Sequence, residues 1–241
     1  MKKMIYIWLL LAPMALSSCN DDDVAVIDAP TATGTVTDDM GNTYGWVRVG
    51  NLDWTTSNAR NGLPATEYEY NNNFEWVTLY DDYYASEREA MEWMNNEYTP
   101  EYGNLMSYEE ALASAPEGWR VPTDEDWKAL ERALGMTDAD NIGWRGDGVA
   151  SRLMASDSGV GLGFQLAGGA MRRKSWGQIA MSFSNFKEYG YYWTSTMEPA
   201  YQDEPMAYFR KLVYGVSGVE RRCTRVENLL SVRWCRNAIN D

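Results

Sequence analysis

Histidine is absent from the 241 residues. Its absence removes Ser-His-Asp and Cys-His mechanisms, the commonest general base, and every histidine-containing zinc site. Cysteine is scarce, three residues in all, and two thiols left after the first is assigned below are too few for a structural zinc site. No Gly-Lys-Ser/Thr phosphate loop and no EF-hand spacing occurs, and no motif calls for a cofactor or a metal. Basic side chains number 21 against 35 acidic ones, a net charge of −14, which argues against nucleic acid and against lying on anionic lipid. Phenylalanine is sparse, five against 11 Trp and 16 Tyr. Trp and Tyr tolerate a half-wet position, so the bias suits a polar-tipped core or an exposed binding face.

The apolar run Met4–Ala15 is too short to span a bilayer stably. With Lys2 and Lys3 before it and Leu16-Ser17-Ser18-Cys19 after it, residues 1–18 have the form of a lipoprotein signal peptide. Cys19 is then the lipid anchor, diacylated on sulfur, with membrane lipid as its partner; two acyl chains or more hold where one does not. The alternative is an ordinary secretory signal with a chance cysteine. Asn20, Asp21, Asp22 and Asp23 resemble a surface-export signal of lipoproteins, which places the domain on the outer membrane facing outward rather than in the periplasm; a solvated charge run is the plainer reading. Cleavage removes Lys2 and Lys3 and no acid, leaving 19 basic against 35 acidic side chains. Residues 19–35 lack a sustained period and are expected to be an acidic flexible tether.

A single domain is expected over 36–241. Strands begin at Val36, with turns at Met40–Asn42 and at Gly50-Asn51. Ser107 and Glu110 have capping-box spacing, which predicts a helix ending before Pro116. Thr123 caps a second helix whose Asp124, Glu125 and Asp126 complement its dipole. Trp127, Leu130 and Leu134 form its inward stripe, and Gly135 supplies a left-handed stop. Trp119 and Val121, in the extended link, point the same way. Ser86 and Glu89 predict another capped helix to about Asn96, and a short one is expected at 149–155 within a glycine-rich, loop-like run to Gly163. GYYWTST, YFRKLVY and RRCTRVENLLSVRWCR alternate as strands. Residues 61–100 stand as a Tyr- and Asn-rich insertion.

In an exported protein Cys223 and Cys235 are expected to form a disulfide. If the chain turns near Leu229 they face each other across a hairpin, and alternation puts Val226, Val232 and Trp234 on the opposite, core-facing side.

GNTYGWVRVGNLDWTTSNAR (41–60), EYGNLMSYEEA (101–111), GWRVPTDEDW (118–127), GFQLAGGAMR (163–172), YYWTST (191–196) and SVRWCRN (231–237) stand in the order of six recurrent blocks. Together they resemble the Fibrobacter succinogenes major paralogous domain family, over about 36–239. The LPTxxEW-like and closing VR blocks also look like the formylglycine-generating sulfatase-modifying fold, a relative of C-type lectins. The resemblance implies an α+β, C-type-lectin-like domain with two short helices, twisted antiparallel strands and much irregular loop. Members often carry cysteines where this chain has Ala115 and Trp234; losing both together fits replacement by a local 223–235 bridge.

Within the insertion, Trp76, Tyr80, Tyr83 and Tyr84 are the candidate ligand-binding residues. Rings beside amides suit carbohydrate, whose C–H faces stack while hydroxyls hydrogen-bond; a loop packed by its own aromatics is the competing reading. The function indicated is a non-catalytic, surface-anchored binding module for a glycan or a surface protein. A structural or adhesion subunit is the alternative, and an enzyme on a sulfatase-modifying scaffold a third. No residue is singled out as catalytic.

Overall fold

The computed structural model describes residues 26–61, 78–79, 82–83, 92–175, 178–201 and 203–239. Alternating Thr, Val and aromatic residues around two tight turns build a meander of β1 (Thr33–Thr37), β2 (Thr43–Val49) and β3 (Leu52–Thr55). The first turn is closed by Asp38, whose carboxylate accepts from the Met40 and Asn42 backbone N–H groups, Asn42 Nδ2 and Tyr44 Oη. Burial acts to raise that carboxyl, but the Asn42 and Tyr44 hydrogen bonds outweigh it and hold it below the ordinary value. The final strand, β12 (Cys235–Asn237), pairs with β3 and completes the order β1-β2-β3-β12. The segment read as a tether is docked from Ile27 onward. Ile27 donates its N–H to Ala133, Thr31 donates to Arg48, and β1 starts three residues before the strand expected at Val36.

A second antiparallel sheet has the order β6-β11-β10-β9, from β6 (Gly143–Arg145), β9 (Tyr189–Met197), β10 (Met206–Val213) and β11 (Val219–Arg225). Two hairpins stand apart, β4 (Thr78–Leu79) with β5 (Asp82–Tyr83) and β7 (Gly169–Ser175) with β8 (Gln178–Ser184). The helices are short: α1 (Thr99–Tyr102), entered through a π-helical turn at Met94–Tyr98, then α2 (Tyr108–Ala113), α3 (Asp124–Ala133) and α4 (Val149–Met154). The architecture is mixed α and β, mostly antiparallel.

The capping box expected at Ser107 and Glu110 forms on α2, and the expected Thr123 cap of α3 is a full capping box with Asp126, whose carboxylate was read only as complementing the dipole. Trp127, Leu130 and Leu134 are buried as one stripe, and Gly135 has φ +98°. The capping box expected at Ser86 and Glu89 lies outside the described residues. At Gly190 a Cβ would sit 2.4 Å from the Gln165 carbonyl oxygen, so only glycine allows that backbone approach.

Three apolar clusters share the interior. The first joins Trp54, Trp127, Phe164, Tyr192 and Leu212 between the sheets and α3; the second holds Tyr44, Trp119, Trp193, Val232 and Trp234; the third packs Tyr98, Phe183, Phe186 and Leu229. Residues 226–234 run through the second and third. Leu229 bridges to Ala170, Leu230 to Met106 and Ser231 to Tyr192, so this stretch crosses from the second sheet to the first.

That crossing overturns the expected cysteine pair. Cys223 lies on β11 and Cys235 on β12, in different sheets, and both are free thiols. A hairpin would have left Leu229, Leu230 and Val232 on a two-stranded ribbon; their burial at 2% exposure or less is worth more than the bridge. The inward orientation of Val232 and Trp234 holds, and Val226 packs against the same cluster.

Two buried charge centres lock the layers. Arg210, fully buried, donates through Nε to Glu131 (2.7 Å) and through Nη1 to Asp124 (2.7 Å). Arg145 reaches Glu131 at 2.8 Å and Arg221 reaches Asp124 at 2.6 Å. Thus Asp124, expected only to serve the helix dipole, also pins α3 to the second sheet. Arg233 is enclosed between Asn58 Oδ1 (2.6 Å) and the carbonyls of Thr55 and Leu162 (2.7 and 2.8 Å), with its guanidinium over Phe164. Burial pulls both Arg145 and Arg233 down to about 10.

Candidate functional site

Of the predicted ligand-binding aromatics, Trp76, Tyr80 and Tyr84 lie outside the described residues, as does Cys19. Tyr83 ends β5, where its backbone pairs with Thr78. In the C-terminal part of the predicted insertion Tyr98 is core: it is fully buried and its hydroxyl donates to the Ala167 carbonyl at 2.6 Å.

A cluster whose exposed members are Trp144 and Arg222 forms instead on the second sheet. Side chains alternate along a strand, so β10 sends Arg210 and Leu212 towards α3 and turns Lys211 the other way. Glu220 on β11 stands opposite Lys211, Trp144 on β6 stands opposite Glu220, and Tyr191 on β9 stands opposite Lys211 from the other side. The row crosses four strands, about 14 Å at roughly 4.8 Å per spacing. Arg222, two residues beyond Glu220, shares its face. Trp144 is aimed outward because its neighbour Arg145 is drawn inward to Glu131. Gly143 and Gly146, at φ +89° and +69°, bend the chain at either end of β6.

Lys211 is the centre of the cluster. Its Nζ lies 2.6 Å from Glu220 Oε2, 5.1 Å from the Trp144 ring centroid and 5.2 Å from that of Tyr189. An ammonium held against two ring faces and one carboxylate is fixed by cation–π attraction as well as by its ion pair. Arg222 Nε lies 3.3 Å from Glu220 Oε1. Tyr191 packs edge-on to Tyr189 and touches Phe209, continuing the aromatic row into the second core. Burial pushes the Tyr191 phenol up to about 12, so it stays a neutral hydroxyl. Trp144 remains 47% exposed. The result is an aromatic row with a cation, an anion and a guanidinium beside it, able to stack a ring and hydrogen-bond its substituents.

Other acidic groups are engaged structurally. Asp138 accepts from the Gly146 N–H, Asp140 pairs with Lys128 and Arg132, Asp126 completes its cap and holds Arg120, and Glu198 accepts from Tyr208. Among the described residues no group of three or more His, Cys, Asp or Glu side chains is placed to hold a metal ion. No helix among them is long and apolar enough to cross a membrane.

The profile of the Fibrobacter succinogenes major domain matches residues 47–236, 190 of the 241 residues. The chain belongs to that family. No curated protein and no solved structure matches it. Trp144, Tyr189, Lys211, Glu220 and Arg222 all lie inside the Fibrobacter succinogenes major domain, whereas β1 lies before the matched region and is joined to it by pairing with β2. Trp144 escaped sequence reading because it sits in a glycine-rich run, in a strand too short to show a period. Lys211 carried a usable signal: alternation in YFRKLVY puts it opposite to the inward Leu212.

Proposed function

We propose that this Fibrobacter succinogenes major domain is a non-catalytic binding module for carbohydrate, with Trp144, Lys211 and Tyr189 as its platform. The proposal includes lipid anchoring through Cys19, display on the outer face of the outer membrane, and a C-type-lectin-like kinship of the fold. One observation carries it: an exposed indole beside an ammonium, a carboxylate and a guanidinium on one face of the second sheet. Pyranose rings present C–H faces that stack on indole and hydroxyls that accept from cations and donate to carboxylates. The buried carboxylates Asp124 and Glu131 are clamped by arginines, which suits a structural role rather than proton transfer.

A glycan-array screen of soluble protein beginning at residue 26, beside Trp144→Ala and a Trp76→Ala/Tyr80→Ala double variant, tests this. Saturable binding lost in Trp144→Ala and kept in the double variant is the expected result. Loss only in the double variant moves the site to the 61–100 segment. A folded protein that binds no glycan overturns the reading.

A second reading, a structural or adhesion subunit, has one observation in its favour. β1 is an edge strand of five residues with no charge and no proline, the kind of edge that accepts a further strand. Concentration-dependent self-association abolished by Thr35→Pro would support it.

A further inference from the structure

We infer that the platform selects a carboxylated sugar, a uronic-acid unit of a polysaccharide, and that Arg222 is its anchor. The inference rests on the carbohydrate reading and adds the charge of the ligand. Two cations share one anion here. Glu220 is 6% exposed, with Oε2 against Lys211 and Oε1 against Arg222. The charge of Lys211 is taken up by Glu220 and two ring faces, and its side chain is only 20% exposed.

Arg222 differs. Its side chain is 64% exposed and meets Glu220 through Nε alone; among the described residues Nη1 and Nη2 take no partner. A guanidinium presents parallel N–H groups that match the two oxygens of a carboxylate, a geometry an ammonium lacks.

Position completes the argument. Trp144 is directly opposite Glu220, which makes Arg222 its diagonal cross-strand neighbour. Such neighbours stand about 7–8 Å apart, so a sugar ring stacked on the indole brings a carboxylate on that ring within reach of the guanidinium. Lys187 and Glu188, exposed in the turn before β9, add one charge of each sign. The local balance therefore favours an anion on a chain whose total is −14. The distant acids are screened beyond about 8 Å at physiological salt, so the contact charges decide.

The test is equilibrium binding of the intact domain to polygalacturonate, to its carboxyl methyl ester and to a sulfated galactan, for wild type, Arg222→Gln and Trp144→Ala. Wild type is expected to bind the free acid about tenfold or more tighter than the ester, the scale of one charge-assisted hydrogen-bond pair. Arg222→Gln is expected to bring acid and ester within about twofold while the melting temperature stays unchanged, because the side chain is exposed. Trp144→Ala is expected to lose both. Equal binding of acid and ester by wild type, lost in Trp144→Ala, overturns the carboxylate inference and leaves the carbohydrate reading standing. Preference for the sulfated polymer overturns it as well. No binding of any polymer or neutral glycan by folded protein overturns both together.

Discussion

Asp124 and Glu131 sit on the same face of α3, about two turns apart, and the same arginine touches both, yet their proton equilibria move in opposite directions. Burial raises the Asp124 carboxyl, but Arg221 and Arg210 outweigh it and hold the group below its ordinary 3.8. For Glu131 burial prevails over Arg210 and Arg145, and the carboxyl is raised above 4.5. The signs follow from linkage. The folded state binds Glu131's proton more readily than the unfolded chain, so stability rises as pH falls through the window just above 4.5. Asp124 contributes stability that is complete above 3.8 and is lost as pH falls further, through its folded value. Urea midpoints measured between about pH 3 and 7 should therefore pass through a maximum. Glu131→Gln should flatten the limb above the maximum, and Asp124→Asn the limb below it. A midpoint that falls steadily from neutrality in wild type would contradict this account. Nothing local in DEDWKALERA marks one carboxylate as a cap-side charge and the next as a core ion pair, because their arginine partners lie 14 to 97 residues away.

At the scale of elements, α2 and α3 were legible because their signals are short-range. A Ser or Thr followed three residues later by an acid satisfies two orphan N–H groups with atoms already adjacent in the chain. Thr123→Ala should cost about 1 kcal/mol in a denaturant titration, with no change in ligand binding, since α3 lies on the opposite side of the second sheet from Trp144. β1, β2 and β3 were legible through the Asp38 turn and the Gly50 turn. By contrast β6 and the β7–β8 hairpin were not. A three-residue strand has no measurable period, and glycines that signal a turn equally well flank a strand. The candidate site inherits this asymmetry: Lys211 was placed on a strand by alternation, while its stacking partner Trp144 was assigned to a loop.

For the whole molecule the decisive feature is the path of residues 226–234. These nine residues carry Leu229 into the third apolar cluster and Leu230, Val232 and Trp234 into the second, and deliver β12 to the first sheet. The two cysteines at its ends are thereby separated. Cys223 is half-buried and Cys235 buried, and burial pushes both thiols above their ordinary value. Maleimide labelling of the soluble domain is expected to modify Cys223 slowly and Cys235 only on unfolding, with the same total of two thiols before and after reductant. A mass two units lower without reductant would show a bridge and contradict the crossing. The same path explains why a local symmetry in the sequence, two cysteines equidistant from Leu229, did not become a hairpin. Chain entropy favours the short closure, but the apolar side chains between the cysteines have far more surface to bury in the interior than a two-stranded ribbon can cover.

The sequence by itself determined the family blocks, the Ser107 capping box and the Thr123 cap, the inward stripe of α3, the early turns, and the inward orientation of Val232 and Trp234. Each of these depends on spacing between near neighbours, where a backbone period or a hydrogen-bond reach of three residues sets the outcome. Only the tertiary structure decided that the cysteines part, that Asp124 and Glu131 meet Arg145, Arg210 and Arg221, and that Trp144, Lys211, Glu220 and Arg222 assemble on one face of the second sheet. Those outcomes depend on strand order, and strand order is set by how the whole chain buries its apolar surface rather than by any stretch of it.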